Sequence, residues 1–549
     1  MLLDHATNRT IERATRRRIV PVLQLICTVV IVLAAASHLY LFRRYAVDFP
    51  KADDYSQLLA VPQYFFAQPT LQDALAYLTE LSIDHRILTL RLAALVQTSF
   101  FGGLSFTGLM TFGTLLLAGV GALLVCATPR RDRPAVAAIA ATLLLSPANH
   151  EAQFWATGAL QHFGVLAYAL AGLFCLSRGG SACSMLAALL ILAAAFTSAN
   201  GLAALVVAAP MLWLLDRRRE AAVWATCALI LVPLYFAGKP PGQGNASVAE
   251  VLGHPFELVR FTVLALGSTA ATPLAAAVLG SSLIGCWIAM LVLRGRAIPG
   301  VLTAWAGFVV LSTLTIAIGR LNFGDHGALI SRYHVYSETL CVTTIVALLH
   351  VLPRPRAVML VNASVATAFA AFVAAVYVYV PYIAYGSTEL QASRSHYVAT
   401  GHALFDDWPP QEFGDFLLER ARLLGYFTPA QVPLTPVVSA STDAVQSSDA
   451  PTLWVTRLAV TPHVITLHGI APRDAAHAFL WLDDGTQRYR APLHRVKSGA
   501  LADSQFVWAT VAVTIDPGTY RIGYGMQDAA RVDRVYWTDR TVQHWTPKF

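Results

Sequence analysis

Eleven apolar runs alternate with short polar breaks between residues 19 and 381, and the breaks are of two kinds. The runs cover about 19–42, 105–127, 135–149, 160–177, 184–198, 201–215, 221–238, 273–293, 299–318, 335–352 and 357–381. A full helical span needs roughly 20 residues, so the shorter neighbours suit deeply set or re-entrant pairs. One set of breaks carries bare arginines: Arg130-Arg131, Arg178, Arg217-Arg218-Arg219, Arg294 with Arg296, and Arg354 with Arg356. The other set mixes carboxylates, imidazoles and arginines. Arginine-rich loops stay on the cytoplasmic side, so the alternation puts every mixed cluster on the opposite face and the C-terminus outside. Arg43 and Arg44 depart from the trend, and snorkelling to the outer interface accommodates them.

The region before Ile19 holds five arginines between Arg9 and Arg18, the flank of a signal-anchor helix whose N-terminus is cytoplasmic. Ala35-Ala36-Ser37 offers small residues for cleavage, but the run is longer than a signal-peptide core. The expected organisation is a basic N-terminus over 1–18, a transmembrane domain over 19–381 with a large outer loop over 43–104, a helical segment and linker over 382–450, and a β-domain over 451–549. Within the loop, Leu71–Leu81 and Ile87–Phe100 read as amphipathic helices at the interface. Pro409–Leu424 is helical in pattern, and Pro429–Pro451 is rich in Pro, Ser and Thr. Beyond it, short alternating runs (Leu453–Val460, Val464–His468, Phe479–Leu482, Phe506–Val513, Tyr520–Tyr524, Val532–Trp537) are punctuated by Asp484-Gly485 and Asp516-Pro517-Gly518. That pattern predicts a β-sandwich of about 100 residues. The fold class is therefore a polytopic α-helical membrane protein with a C-terminal extracytoplasmic β-domain.

Composition supports the membrane reading. Of 549 residues, 56% are hydrophobic and 13% charged, about half the charged share of a soluble domain. The net charge of +7 resides in juxtamembrane arginines, with no basic stripe interleaved with aromatics, so nucleic acid is not an expected partner. The seven cysteines lie in or beside apolar runs, none is in the C-terminal region, and no CxxC occurs. A disulfide framework and a structural zinc site are both unsupported.

The mixed clusters hold the candidate chemistry. Asp53 and Asp54 follow the first span; adjacent carboxylates separate in pKa and leave one ionised as a base, although the pair equally suits a helix N-cap. Asp84-His85-Arg86 precedes an apolar stretch, where imidazole and guanidinium engage an anionic head group or anchor the interface. Asn149-His150-Glu151, Gln153, Trp155 and His162 combine amide, imidazole and indole, which suits a sugar as well as simple packing. No HExxH zinc motif arises, since Phe154 stands four after His150. Gly319–His334 brings Arg320, His326, Arg332, Tyr333 and His334 together with Gly324 and Gly327. Guanidinium forks match phosphate oxygens, and glycines let backbone N–H groups approach. Walker A, GxSxG and SxxK patterns are absent. Carboxylates are on hand for Mg²⁺ or Mn²⁺, but no spacing requires a metal, so no cofactor is called for and a divalent metal is left open.

In arrangement, residues 19–381 resemble the GT-C superfamily of membrane glycosyltransferases. The likeness rests on Asp53-Asp54 in the large first loop, on Asp84-His85-Arg86, similar to a Glu-His-Arg element of some bacterial members, and on Gly319-Arg320 with Ser331-Arg332-Tyr333. Asp84 stands where the closest pattern has glutamate. The resemblance implies a bacterial inner-membrane enzyme acting at the outer face, with a polyprenyl-phosphate-linked sugar as donor and a cell-envelope glycan or lipid as acceptor. It further implies Asp53 as the base with Asp54 beside it, Arg320, Arg332, Tyr333, His85 and Arg86 at the donor phosphate, and His150, Glu151, Trp155 and His326 at the sugar or acceptor. The C-terminal β-domain is similar to accessory domains of some members. Two other readings stay open: a polymerase or ligase of O-antigen type, and a transporter or flippase of lipid-linked glycans.

The arginine alternation predicts accessibility. In a variant freed of its native cysteines, Cys placed at Gly324 or Ser504 should react with an impermeant thiol reagent from outside, and Cys at Pro355 should not. Labelling at position 355 without labelling at 504 would overturn the orientation.

Overall fold

The computed structural model describes residues 2–544 apart from 83–84, 238–250, 252, 271, 405–409, 433, 436, 440–444, 447–453, 461–463, 473–476, 498–503, 513–517 and 528–532. It is mostly helical, with a C-terminal β-sheet region. Two units are distinguished. The first comprises residues 1–44, 69–93 and 108–376; the second comprises 45–68, 94–107 and 377–549.

Among the described residues, seven helices are long and apolar enough to cross a membrane: Val22–Tyr45, Phe106–Cys126, Ala156–Arg178, Pro273–Ala297, Gly300–Ala328, Ser331–Val351 and Arg354–Thr400. The expected runs near 135–149, 184–198 and 201–215 form shorter helices, Arg133–Leu144, Ser181–Ala195 and Leu202–Leu214. At 12, 15 and 13 residues these fall short of a full crossing by length alone. A turn over Ala199–Gly201 joins the last two. Gly201 is required there, because a Cβ would sit 2.1 Å from the Ala194 carbonyl oxygen.

The core of the first unit is aliphatic and small, with Ala138, Ala169, Ala204 and Ala208 buried among Leu, Val and Ile, and with Trp305 and Phe308 filling the larger gaps. Small residues let helix backbones approach closely where lipid removes any hydrophobic drive between helices. Leu25, Leu189, Leu229, Leu274 and Val292 are exposed. In water they would form a large sticky surface; in a bilayer they meet acyl chains. These features are compatible with a multi-pass membrane protein.

In the second unit, β3 (Val438–Ser439), β8 (Arg488–Pro492), β7 (His477–Asp483), β11 (Gly518–Gln527), β12 (Asp533–His544) and β4 (Val445–Gln446) form a six-stranded sheet in that order. The labels β1 and β2 belong to a two-stranded hairpin in the first unit, Leu81–Ser82 and His85–Arg86. A four-stranded sheet has the order β5 (Trp454–Val460), β6 (Val464–Pro472), β10 (Ser504–Ala512), β9 (His494–Lys497). Alternation puts Ile465, Leu467, Val507, Ala509 and Val511 of the smaller sheet into one core with Leu480, Leu482, Tyr520 and Ile522 of the larger. The β7–β8 turn is held by Asp484, whose Oδ1 accepts from the amides of Thr486 and Gln487 at 2.7 Å each, while Gly485 adopts a φ of +90°.

The opposite face of the four-stranded sheet is also buried. His468 on β6 meets Thr388 Oγ1 at 2.9 Å and Thr456 Oγ1 at 2.7 Å, Thr466 meets His396 at 2.8 Å, and Tyr385 packs edge-on to Phe506. Burial pushes the His468 imidazole down from 6.5 to about 4, with the Arg457 charge contributing. The unfolded chain therefore takes up a proton that the folded unit refuses. Stability is whole above about pH 6.5 and falls as pH drops toward about 4. The His468 contribution should be on the order of 3 kcal/mol, read as a falling unfolding temperature in calorimetry. His468→Gln should flatten that slope, and an unchanged slope would remove the assignment.

Candidate functional site

The site grows from two breaks in the helical pattern of the first unit. At the first, Ser146 caps a short turn, Pro147–Asn149, by accepting from the Ala148 amide at 3.2 Å. His150–Gln153 makes one helical turn, and Trp155 is extended before the chain re-enters a helix at Ala156. At the second, Ser331–Tyr333 forms a single turn before the helix His334–Val351. Broken helices leave backbone groups without intrahelical partners. Ser331 supplies them across the two breaks: its Oγ donates to the Ala148 carbonyl at 2.5 Å, accepts from the Glu151 amide at 3.2 Å, and lies 3.0 Å from His150 Nδ1.

That joint brings Arg332 beside Glu151. The guanidinium is 3.5 Å from Glu151 Oε2, 5.8 Å from the Trp155 ring centroid and 5.3 Å from that of Tyr333. Gly158 makes room for the indole, since a Cβ there would meet Trp155 at 2.8 Å. The pair is partly open, with side chains 25% and 35% exposed, so its net stabilisation is small. A guanidinium beside aromatic faces and a carboxylate is the residue type whose planar fork of N–H donors matches the oxygens of an anionic group.

Behind it lies a polar string. His162 packs edge-on to Tyr333 and Tyr336, and its Nδ1 is 3.3 Å from the Tyr336 hydroxyl. That hydroxyl accepts from Asn200 Nδ2 at 2.7 Å, and the Asn200 carbonyl accepts from Ser312 at 3.2 Å. Arg332, His85 and Arg320 all lie within electrostatic reach of His162. Three of the residues expected at a donor phosphate thus act electrostatically on one buried imidazole.

The remaining expectations sort as follows. His85 Nδ1 accepts from the Ala199 amide at 3.2 Å, and Arg320 lies over Phe323. Arg86 spends its side chain on the fold: its guanidinium donates to the carbonyls of Thr79 at 2.5 Å, Tyr235 at 2.8 Å and Ala237 at 3.1 Å. His326 is exposed on the short helix Gly324–Ala328, where Asp325 pairs with Arg260. Asp84 lies outside the described residues. Asp53 and Asp54 belong to the second unit. Asp54 is fully buried, and its Oδ2 accepts from the Lys51 amide at 3.0 Å, closing the turn before Tyr55. Burial, and then the Asp54 and Asp415 carboxylates, hold the Tyr55 phenol well above 10.0. Asp53 is half-buried, and its carbonyl accepts from the Gln57 amide at 2.8 Å. Among the described residues, no group of three or more His, Cys, Asp or Glu side chains is arranged to hold a metal ion.

One residue escaped the sequence reading. Glu338, in the middle of Ser331–Val351, is fully buried and accepts from Asn149 Nδ2 at 2.5 Å. Its signal was present, since a carboxylate inside an apolar span is costly and marks function by default.

The geometry separates site from scaffold. Arg86→Lys keeps the charge but loses the three-carbonyl clasp and should cost about 1.5–3 kcal/mol. Glu151→Gln should cost under about 1 kcal/mol. Thermal unfolding in detergent compares them, and equal losses would erase the distinction. No protein-family model, curated protein or solved structure matches this chain.

Proposed function

We propose that the chain is a GT-C-like membrane glycosyltransferase that takes its sugar from a polyprenyl-phosphate lipid and passes it to a glycan or lipid acceptor at the extracytoplasmic face. The observation that carries this reading is Arg332 beside Glu151, Trp155 and Tyr333, and the charges of Arg320 and His85 reach the same His162 as that of Arg332. In the reaction, the acceptor oxygen attacks the anomeric carbon, the bond from that carbon to the phosphate oxygen breaks, and the phosphate leaves with the electron pair. Guanidinium groups stabilise that leaving charge, the larger catalytic task. An indole face and imidazoles suit the sugar ring. A base must take the acceptor proton, and the resemblance of the first-loop acidic pair to the superfamily makes Asp53 that base, with Asp54 fixing its turn. We assign Arg86 to building the hairpin and not to phosphate contact.

Glu338 favours a second reading. A carboxylate buried inside a span is the kind of group that proton-coupled transporters use, and a flippase of lipid-linked glycans would bind the same anionic ligand.

Reconstitution in liposomes with a polyprenyl-phosphate sugar and labelled acceptor decides between them. Arg332→Ala should weaken donor binding by roughly 10- to 150-fold, equivalent to a lost charged hydrogen bond of about 1.5–3 kcal/mol. Asp53→Asn should lower turnover by about 10²–10⁴-fold with donor affinity unchanged. Movement of the intact donor across the bilayer without sugar transfer would sink the enzyme reading in favour of transport.

A further inference from the structure

Glu338 and Asn149 are both completely buried and are joined by a single hydrogen bond, Asn149 Nδ2 to Glu338 Oε2 at 2.5 Å. The second carboxyl oxygen, Glu338 Oε1, and the amide oxygen, Asn149 Oδ1, have no hydrogen-bond partner among the described residues. Among the described residues, no ion pair is made by the carboxyl, whose one hydrogen-bonding partner is Asn149. An ionised carboxylate so placed would be fully desolvated with one neutral donor, which is strongly unfavourable. Two orphaned acceptors on side chains already bonded to each other are what a missing proton leaves. A carboxylic acid and a primary amide bond reciprocally: the amide N–H reaches one acid oxygen, and the acid O–H reaches the amide oxygen. One proton on Oε1 satisfies both groups.

We infer that Glu338 and Asn149 form a proton-binding site inside the helical bundle, the bound proton closing a reciprocal acid–amide pair. The site goes beyond the proposed transfer reaction and does not rest on it. Asn149 ends the Pro147–Asn149 turn, and His150 and Glu151 follow directly. The proton therefore fastens the turn bearing two candidate site residues to the helix His334–Val351.

The titratable neighbours are few. Cys341 on the same helix is near enough to feel a charge on Glu338. His334 begins that helix, and His150 and Glu151 lie beyond the Asn149 turn. The packed helices Arg133–Leu144, Pro273–Arg294 and Gly300–Arg320 carry arginines only at their ends, and the second also bears the Cys286 thiol. Pro255–Leu266 carries Glu257 and Arg260 in its first half. The Ser268–Ala270 turn meets the helix through hydroxyls, Thr269 Oγ1 to Ser337 Oγ at 2.8 Å.

The test is infrared difference spectroscopy on the full-length protein in nanodiscs at neutral pH. Wild type minus Glu338→Gln should show the C=O band of a protonated carboxyl, moving to lower frequency in D₂O. In Asn149→Ala the band should persist but move to higher frequency, because the carbonyl has lost its amide donor. Should Glu338→Gln fail to fold, the wild-type minus Asn149→Ala spectrum carries the test alone, through that shift. Carboxylate bands in place of the acid band would overturn the proposal, as would a band unmoved in Asn149→Ala. An acid band that emerges only when Na⁺ is withdrawn would also overturn it, since a cation would then be the occupant.

Discussion

The hydroxyl of Ser331 joins two interrupted helices at the point where each has exposed its backbone. In a bilayer, peptide groups have no water to turn to, so a break is tolerated only where protein satisfies it. Ser331 does so for the Ala148 carbonyl and the Glu151 amide at once, and its contact with His150 Nδ1 orients an imidazole as well. The neighbouring Arg332 is thereby carried to Glu151 and to the faces of Trp155 and Tyr333. The meeting of Arg332 with Glu151 and Trp155 follows from that joint, which the Asn149–Glu338 bond between the same two segments reinforces.

The two carboxylates near the joint differ in environment and therefore in role. Glu151 is one-third exposed and faces a guanidinium, so it suits a charge that is exchanged with a ligand. Glu338 has no exposure and faces an amide, where a charge is not sustainable and a proton resolves the imbalance. Asn149 and Glu151 lie two residues apart, so the inner and outer groups sit on adjoining turns of one short segment.

The second unit manages its own polar groups with similar economy. Asp48 accepts from the amides of Phe106 at 2.6 Å and Thr107 at 3.2 Å, capping the start of the helix Phe106–Cys126. The Tyr426 hydroxyl donates to the Leu59 carbonyl, and the Leu104 amide donates to the Tyr426 carbonyl, both at 2.7 Å. These bonds tie parts of the first loop to the chain that follows Gln411–Leu423. Elsewhere in the unit, the Thr and His positions of β6 bond to residues 388 and 396, so that face of the strand is covered as well.

Hydrophobic periodicity by itself determined much of the architecture. Runs of apolar residues with arginine-rich ends specify helices in a membrane, and alternating strands with Asp-Gly punctuation specify the β-region, because both signals are local. The strands at 454–460, 464–472 and 504–512 fall close to their predicted runs for that reason. β8 and β9 were not legible: Arg488–Pro492 does alternate, with Tyr489 and Ala491 buried, but is only five residues long and arginine-bearing, and His494–Lys497 has no apolar alternation, so both become strands by pairing with β7 and β10. The cluster of His150, Glu151, Trp155, Arg332 and Tyr333 was visible as two separate motifs, but not their meeting through Ser331, nor the diversion of Arg86 to three carbonyls. Contacts across some 180 residues, such as Ser331 with His150 and Glu338 with Asn149, depend on how helices pack. Residue type marks a buried carboxylate as costly, and only tertiary packing decides which partner makes it tolerable.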